Sequence, residues 1–496
     1  MILTWQHWAA LSPILFTSAA IVAVMLSIAI KRDHFWNVTA GIAFGNLAWI
    51  AVAVLFFGPL VLPESIPAIL PLQITPLLVV DNYALFYFGI IIVCTLACAT
   101  LLQGYLEGYT GNKEEMYLLL ALAALGGMVL VASCHFASFF IGLELLSIPL
   151  YAMIAYPHRS KRSLEAGLKY LVLSAGASAF ILFGMALIYA QVGNLSFAAI
   201  GAFMAHPGPV PGVVTLGGAM LLVGIGFKLS LVPFHLWTPD VYEGAPAPVT
   251  SFLATASKTA VFAVLLRYYV EARGYEDGDL IQVLTVLAIL SMIIGNVLAL
   301  LQNNVKRMLA YSSIAHFGYC LVGLIASGPL AVEAVGAYLI TYVVTTLGVL
   351  GVVTLISSPY NNDGDADELE DYRGLFWRRP YISSILTALL LSLAGIPVTA
   401  GFVGKFYVIA AGVDAKEWWL LGAVVLGSAI GLFYYLRLMI MMFMDRDRQQ
   451  RFEAPLNWGL QTGGAMVLAV TLASFVLGLY PQPFIEIIQL APLVGR

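Results

Sequence analysis

The hydrophobic positions of this chain form long uninterrupted runs and do not alternate with polar positions, as they do in half-buried strands. A helix needs about 20 mostly apolar residues to cross a bilayer, whereas barrel strands are shorter and alternate. Because helices satisfy their backbone hydrogen bonds internally, the runs predict an all-α integral membrane protein. About 14 candidate spans lie at 9–30, 37–58, 82–105, 116–133, 137–156, 164–190, 214–236, 248–270, 280–301, 307–327, 332–357, 381–411, 418–443 and 462–481.

Two predicted spans, the seventh and the twelfth, carry residues that interrupt a helix. The seventh contains Pro233 and His235 near its end, and the twelfth contains Gly395 and Pro397. Proline lacks a backbone donor and kinks a helix. Interrupted helices at corresponding places of two halves are typical of transporters built from inverted repeats. The pattern therefore predicts two inverted five-helix repeats, spans four to eight and nine to thirteen, each with one broken helix.

The predicted repeats divide the chain into four segments. We expect an N-terminal three-helix segment at 1–110, a first repeat at 111–275, a second, inverted repeat at 276–455 and a C-terminal helix at 456–496. The many prolines of residues 58–81 predict an extended or hairpin segment that lies over the membrane surface.

Composition and charge exclude several classes of protein. The chain is 61% hydrophobic and 10% charged, whereas soluble domains are about 45–50% apolar and about 25% charged. A net charge of −4 excludes a basic nucleic-acid-binding protein, so we expect membrane lipid and no nucleic acid as a partner. No CxxC motif occurs, which argues against a disulfide framework, a zinc site or an iron–sulfur site.

Lysine and arginine are distributed unevenly between the two sets of loops. The poorer set contains Arg273, Lys416 and Arg496. The positive-inside rule places the richer set in the cytoplasm and both termini on the opposite side. The richer set contains 14 basic residues, namely Lys31, Arg32, Lys113, Arg159, Lys161, Arg162, Lys306, Arg307, Arg373, Arg378, Arg379, Arg446, Arg448 and Arg451.

The longest predicted cytoplasmic loop, residues 358–380, is acidic. Two interpretations remain open for it, a solvated connector and a docking surface. Its acidic residues are Asp363, Asp365, Asp367, Glu368, Glu370 and Asp371.

Six basic residues fall inside the apolar runs. A charge at the bilayer centre costs about 2.5–3.5 kcal/mol on insertion scales, so such residues usually serve function. Those near helix ends can extend their charged heads to the interface, and this is the expectation for Lys169, Arg267 and Arg437. The other three lie near the middle of their spans: Lys228, Lys258 and Lys405.

Two further ionisable residues, Glu144 and His316, accompany these central lysines in the middle of apolar runs. A buried carboxylate keeps its charge beside a lysine, a buried lysine can release its proton, and neutral imidazole can pass one between its two ring nitrogens. A fixed ion pair that only orients helices is the weaker alternative, because buried pairs add little stability. We therefore predict a proton relay made of Glu144, Lys228, Lys258, His316 and Lys405.

One long motif resembles a known family. The run from Lys228 to Pro246, KLSLVPFHLWTPDVYEGAP, resembles the seventh-helix motif of the antiporter-like subunits of respiratory complex I and of multisubunit cation/proton antiporters. This version, followed by Ser257-Lys258-Thr259, is most similar to the subunit N family of bacterial NADH–quinone oxidoreductases. Further matching stretches lie at 142–147, 304–316, 369–374 and 395–405.

The resemblance implies a function and a set of partners. It implies that Glu144 pairs with Lys228, that Lys258 continues the path, and that Lys405 connects it to the far side. It further implies a proton-translocating subunit of the bacterial inner membrane, driven by electron transfer from NADH to quinone. Neighbouring antiporter-like and small membrane subunits are then its partners. NADH, FMN, iron–sulfur clusters and quinone are expected on other subunits, with no cofactor in this chain.

Two alternatives remain. The motif family also covers cation/proton antiporter subunits that have no redox partner, and the central charges do not separate these from a redox complex. A structural spacer, whose charges only hold helices together, is the weakest hypothesis, because three central lysines face one clear central carboxylate.

Overall fold

A computed structural model describes residues 4–61, 70–107, 109, 111–157, 160–206, 208–326, 329–357, 364–445, 452, 454–455 and 457–493. Several residues on which predictions were made lie outside these ranges, namely Pro63, Pro67, Arg159, Asp363, Arg446, Arg448, Arg451 and Arg496.

The first part of the described chain is helical apart from one hairpin. The hairpin pairs β1 (Leu72–Thr75) with β2 (Leu78–Val80) in antiparallel fashion. The helices are α1 (Trp5–Ile30), α2 (His34–Val61), α3 (Asn82–Tyr105), α4 (Glu115–Val131), α5 (Phe136–Ile154), α6 (Lys161–Val192), α7 (Phe197–Met204), α8 (Gly212–Leu229), α9 (Trp237–Gly244), α10 (Ala247–Phe252) and α11 (Lys258–Glu271).

The second part contains helices only. They are α12 (Gly278–Leu300), α13 (Val305–Ile325), α14 (Pro329–Ile356), α15 (Leu375–Arg378), α16 (Pro380–Ala394), α17 (Ala400–Asp414), α18 (Trp418–Phe443), α19 (Thr462–Leu479) and α20 (Gln482–Gln489), with short 3₁₀ turns at Gly274–Glu276, Leu369–Tyr372 and Trp458–Leu460.

The prediction of an all-helical membrane protein is confirmed. Among the described residues, 12 helices are long and apolar enough to cross a membrane, and Glu115–Val131 and Pro380–Ala394 are shorter apolar helices. The span count of 14, the inverted repeats and the four-segment division stay predictions. The most deeply buried spans are α13 and the pair α10–α11, which therefore form the centre of the molecule.

Two helices end abruptly inside the predicted spans. Helix α8 ends at Leu229, because Ser230 adopts a left-handed conformation with φ 64°. The chain then crosses to α9 without helical structure, so the predicted span 214–236 is too long as a helix. Helix α16 ends where Gly395 adopts φ 83°, and α17 begins at Ala400. Glycine adopts this conformation at little cost because it lacks Cβ.

A single π-helical turn, Leu253–Ser257, joins α10 to α11. The hydrophobic pattern predicted one continuous span at 248–270 and gave no sign of it. Such turns are rare and lie frequently at functional sites. This one ends directly before Lys258.

Three features differ from what the sequence indicated about the surface. Helix α2 continues through Pro59 to Val61, so the non-helical segment begins later than residue 58. In the acidic loop, Asp365 and Asp367 are buried and are not solvated. Lys306, assigned to an exposed basic loop, is 2% exposed and forms an ion pair with Asp365 at 2.6 Å.

Of the three basic residues expected at helix ends, one behaves differently. Arg267 is 1% exposed and donates to both carboxylate oxygens of Asp81 at 2.8 Å, so its head group is buried within the protein and is not exposed. Lys169 and Arg437 keep exposed head groups, as predicted. Lys169 pairs with Asp240 at 2.9 Å.

Candidate functional site

The five predicted relay residues lie on five different helices that converge on the buried centre. Lys228 occupies the last turn of α8, Lys258 the first turn of α11 and Lys405 the second turn of α17. Their exposed fractions are 5%, 1% and 9%. His316 on α13 is buried, and Glu144 on α5 is half-buried.

The Lys228 ammonium is held by hydroxyl groups. Its Nζ donates to Ser147 Oγ and to Ser174 Oγ, each at 2.7 Å. Glu144 instead accepts a hydrogen bond of 2.5 Å from Ser178. Each of the two charged groups is thus hydrogen-bonded to serine hydroxyls, and their pairing stays a prediction. Ser174, which binds Lys228, and Ser178, which binds Glu144, lie one helical turn apart on α6.

Aromatic rings pack around the first helix break, which is the non-helical stretch 230–236 between α8 and α9. The Trp237 indole donates to the Phe227 carbonyl at 2.9 Å, which fixes α9 to the end of α8. The same indole stacks between Tyr170 and Phe227, with ring centroids 4.6 and 5.3 Å away. His235 is buried in this connection, and neither ring nitrogen has a protein partner among the residues the structure describes.

The Lys258 ammonium contacts one hydroxyl and two rings. Its Nζ donates to Ser313 Oγ at 2.9 Å. It lies 5.6 Å from the centroid of the Tyr242 ring and 5.1 Å from that of Phe317. Aromatic faces attract a cation, so the rings offer the charged lysine some compensation for lost water.

His316, on α13, contacts tyrosines of two other helices, α14 and α18. Its Nδ1 lies 2.6 Å from Tyr338 Oη and its Nε2 lies 3.3 Å from Tyr435 Oη. Tyr435 shares a further hydrogen bond of 2.5 Å with Ser312. The Tyr342 ring lies 5.4 Å from the imidazole. A histidine with a hydroxyl on each nitrogen is arranged to accept a proton on one side and release it on the other.

The Lys405 ammonium lies at the second helix break, which is the stretch 395–399 between α16 and α17. Its Nζ donates to the Ala394 carbonyl at 2.7 Å, the last residue of α16, and it sits 5.4 Å from the Tyr319 ring centroid. A Cβ on Gly395 would lie 2.7 Å from the lysine side chain. Glycine is therefore required here both for its backbone conformation and for the close approach.

A charged cluster lies on α6, α9 and α13 beside a cavity of about 180 Å³. Asp240 accepts from Lys169 at 2.9 Å and from Arg307 at 2.7 Å. Burial alone would raise the pKa of the Asp240 carboxyl, but these two hydrogen bonds outweigh it and hold the pKa below its ordinary value. The cluster therefore remains charged at neutral pH.

Sequence reasoning missed the hydroxyl partners of these charges, namely Ser147 and Ser174 for Lys228, Ser313 for Lys258 and Ser178 for Glu144. The spacing of Ser174 and Ser178 places both on one face of α6, which was a usable signal. Serine is common in membrane helices, however, so only the tertiary structure distinguishes these from the others.

The comparisons with known proteins identify the family. Residues 133–431 match the family described as NADH:quinone oxidoreductase/Mrp antiporter, TM. NADH-quinone oxidoreductase subunit N of Ectopseudomonas mendocina (strain ymp) is 56% identical over 99% of this chain and 98% of its own length. The chain belongs to the subunit N family of NADH-quinone oxidoreductases. The resemblance seen in the seventh-helix motif is thereby confirmed for nearly the whole chain.

Solved structures show that the subunit N fold is shared more widely. A chain of respiratory complex I from Thermus thermophilus is 32% identical, with a TM-score of 0.81 over 97% of this chain and 100% of that chain. A chain of the Mrp complex from Dietzia sp. DQ12-45-1b is 20% identical, with a TM-score of 0.82 over 99% and 97%. The fold alone therefore does not separate redox complexes from antiporters, whereas the 56% identity does.

Proposed function

We propose that this chain carries protons across the membrane as a subunit of a bacterial NADH–quinone oxidoreductase, through Glu144, Lys228, Lys258, His316 and Lys405. One observation carries the assignment of these residues. Among the described residues, no carboxylate forms an ion pair with any of the three buried lysines, which bind only hydroxyls, a carbonyl and rings. Unpaired buried charges are costly, and in membrane helices they mark ion and proton pathways.

The proposed order follows the fold from the first break to the second. Lys228 exchanges its proton with Glu144 by way of the hydroxyls of Ser174 and Ser178, which bind the two residues. The proton moves next to Lys258, whose Ser313 partner lies one turn before His316 on α13. His316 passes it through the tyrosines toward Lys405, beside the second break. Redox-driven rearrangement elsewhere in the complex changes the separation of Glu144 and Lys228 and starts the cycle.

Cofactors and partners belong to the rest of the complex in this proposal. Among the described residues, no group of three or more His, Cys, Asp or Glu side chains is placed to hold a metal ion. NADH, FMN, iron–sulfur clusters and quinone are assigned to other subunits. The neighbouring antiporter-like and small membrane subunits are the partners, and both termini face the periplasm of the inner membrane.

The test replaces Lys228 with alanine in inverted membrane vesicles. We expect Lys228→Ala to leave the complex assembled on native gels but to abolish both NADH-dependent quinone reduction and vesicle acidification. Lys161→Ala is the matched control, because Lys161 is an exposed lysine at the start of α6. It should behave like the unmodified protein.

Unchanged NADH oxidation and acidification in the Lys228→Ala complex would contradict the proposal. The alternative, an antiporter subunit without a redox partner, predicts that result together with proton exchange driven by sodium or potassium. Measuring that exchange in the same vesicles separates the two functions.

A further inference from the structure

Three donors converge on the Ser313 hydroxyl beside Lys258. Lys258 Nζ lies 2.9 Å from Ser313 Oγ, Tyr342 Oη lies 2.8 Å away and Tyr242 Oη lies 3.4 Å away. A hydroxyl accepts two hydrogen bonds and donates one. Three donors exceed that capacity. Within the described part of the chain, the Ser313 hydrogen has no other acceptor, so it points to one of these three groups.

One arrangement satisfies every group when Lys258 is neutral. The free amine has a lone pair, which accepts the Ser313 O–H. Tyr342 and Tyr242 then donate to the two lone pairs of Ser313 Oγ, at 2.8 and 3.4 Å. All three hydroxyl hydrogens are used, and the amine keeps a partner although it carries no charge.

A second arrangement satisfies the same atoms when Lys258 is protonated. The ammonium donates to Ser313 Oγ, so the Ser313 O–H has to turn away from it. The Tyr342 oxygen can accept this hydrogen, because the Tyr342 O–H can itself donate to the Ala254 carbonyl, 3.2 Å away in the π-helical turn. Tyr342 donates to Ala254, and Ser313 donates to Tyr342 Oη. Only two O–H bonds rotate between the arrangements, and no other atom moves.

We propose that Ser313 and Tyr342 form a hydroxyl switch that follows the protonation state of Lys258 and stabilises both states. The proposal rests on the proton path described above. When Lys258 passes its proton toward His316, its amine lone pair accepts a hydrogen bond from the Ser313 O–H. The Tyr342 O–H then rotates back and donates to Ser313 Oγ. The switch itself gains and loses no proton. Ser313 and Tyr342 are thus positioning residues.

The arrangement at Lys228 provides a contrast within the same chain. Lys228 also donates to a serine that receives a tyrosine hydroxyl, since Tyr151 donates to Ser174 at 2.6 Å. Ser174 has two donors and Ser313 has three. Ser174 can therefore accept from both donors at once while Lys228 is charged, whereas the cluster at Lys258 has to rearrange.

The experiment compares two variants, Ser313→Ala and Tyr342→Phe, in assembled complex in inverted vesicles. The first removes the only hydroxyl bound to Lys258 among the described residues, and the second removes the Tyr342 hydroxyl, which accepts from Ser313 when Lys258 is charged. Ser313→Ala loses a hydrogen bond to the charged lysine, and Tyr342→Phe loses the hydrogen bond between Tyr342 and Ser313. We expect each change to lower NADH-driven acidification about 10-fold. Assembly and NADH oxidation by an artificial electron acceptor should persist.

Two further variants separate the switch from packing. Ser313→Thr retains the hydroxyl and should restore acidification to at least about half of the unmodified rate, whereas Ser313→Ala should not. Tyr372→Phe is the control for Tyr342→Phe, because Tyr372 is also fully buried and donates to a backbone carbonyl, that of Ala366. It should leave acidification unchanged.

Lys258→Met distinguishes failure of the switch from failure of the proposed function. If Lys258→Met stops acidification while Ser313→Ala and Tyr342→Phe do not, the switch is wrong and the path stands. If Ser313→Thr is as impaired as Ser313→Ala, packing explains the loss and the switch is also wrong. If Lys258→Met acidifies normally, the path through Lys258 is itself wrong.

Discussion

Each of the three buried lysines is held by neutral groups of a different kind. Lys228 has two serine hydroxyls, Lys258 has one hydroxyl and two rings, and Lys405 has a carbonyl and one ring. A carboxylate in contact would hold the proton on each lysine. Hydroxyls can donate as well as accept, so they leave both the charged and the neutral lysine with a partner. Among the described residues, the common feature of the three lysines is that none forms an ion pair with a carboxylate.

At Gly395, substitution by alanine tests the second break. An alanine would be forced into a left-handed conformation costing roughly 1–2 kcal/mol, and its Cβ would lie 2.7 Å from Lys405. We expect Gly395→Ala to displace the lysine from the Ala394 carbonyl and to lower NADH-driven acidification several-fold. Gly176→Ala is the control, because a Cβ at that position would meet no other atom within 4 Å. Equal rates in both variants would contradict the prediction.

At the scale of elements, a buried ion pair joins the end of α9, the helix that follows the first break, to α13 and the acidic loop. Lys306, in the first turn of α13, donates to Asp365 at 2.6 Å and to the Ala245 carbonyl, just after α9, at 2.8 Å. Tyr105 at the end of α3 also donates to Asp365, at 2.8 Å. The acidic loop, α3, α9 and α13 are therefore tied together at one point.

Removing Asp365 should destabilise this junction. Breaking a buried pair by deleting one partner costs about 3–5 kcal/mol, because the other charge is left uncompensated. We expect Asp365→Ala to lower the thermal stability of the purified complex and the amount assembled. Glu370→Ala, in the same loop, removes a carboxylate that is 68% exposed and should change neither. Normal assembly and stability of Asp365→Ala would show that the pair is dispensable.

At the scale of the whole molecule, the proposed path crosses from one half of the chain to the other. Lys228 belongs to the first broken helix and Lys405 to the second, and the deeply buried α10–α11 and α13 lie between them in the sequence. Interrupted helices place polar backbone and charged side chains at membrane depth without exposing them to lipid. In the proposed path the two breaks are the two ends.

A serial path predicts non-additive losses. Arginine keeps a charge but does not release its proton, so Lys228→Arg and Lys405→Arg should each slow acidification. Because one blocked step limits the whole path, the double variant should be no slower than the slower single variant, as for residues that act as a unit. Acidification rates of the three variants check this. Losses that multiply would indicate two independent routes.

The residues of the candidate site could largely be predicted from the sequence, but the contacts they make could not. A charge in an apolar run is conspicuous in any sequence, which is why the lysines, Glu144 and His316 could be named. That Glu144 and Lys228 act as a pair stays a prediction, and the sequence did not show that serines on α5 and α6 bind each of them. The expectation for Arg267 was wrong because Asp81, 186 residues away in the sequence, provides its buried partner.

The membrane fold, the family and the identities of the central charges could all be inferred from the chain before its folding was known, because hydrophobic run length, the seventh-helix motif and misplaced charges are local features. The partners of those charges, the π-helical turn before Lys258 and the buried pair of Lys306 with Asp365 became known only from the folded molecule. These contacts depend on which helix faces which, and packing between distant segments sets that arrangement, while local pattern leaves it open.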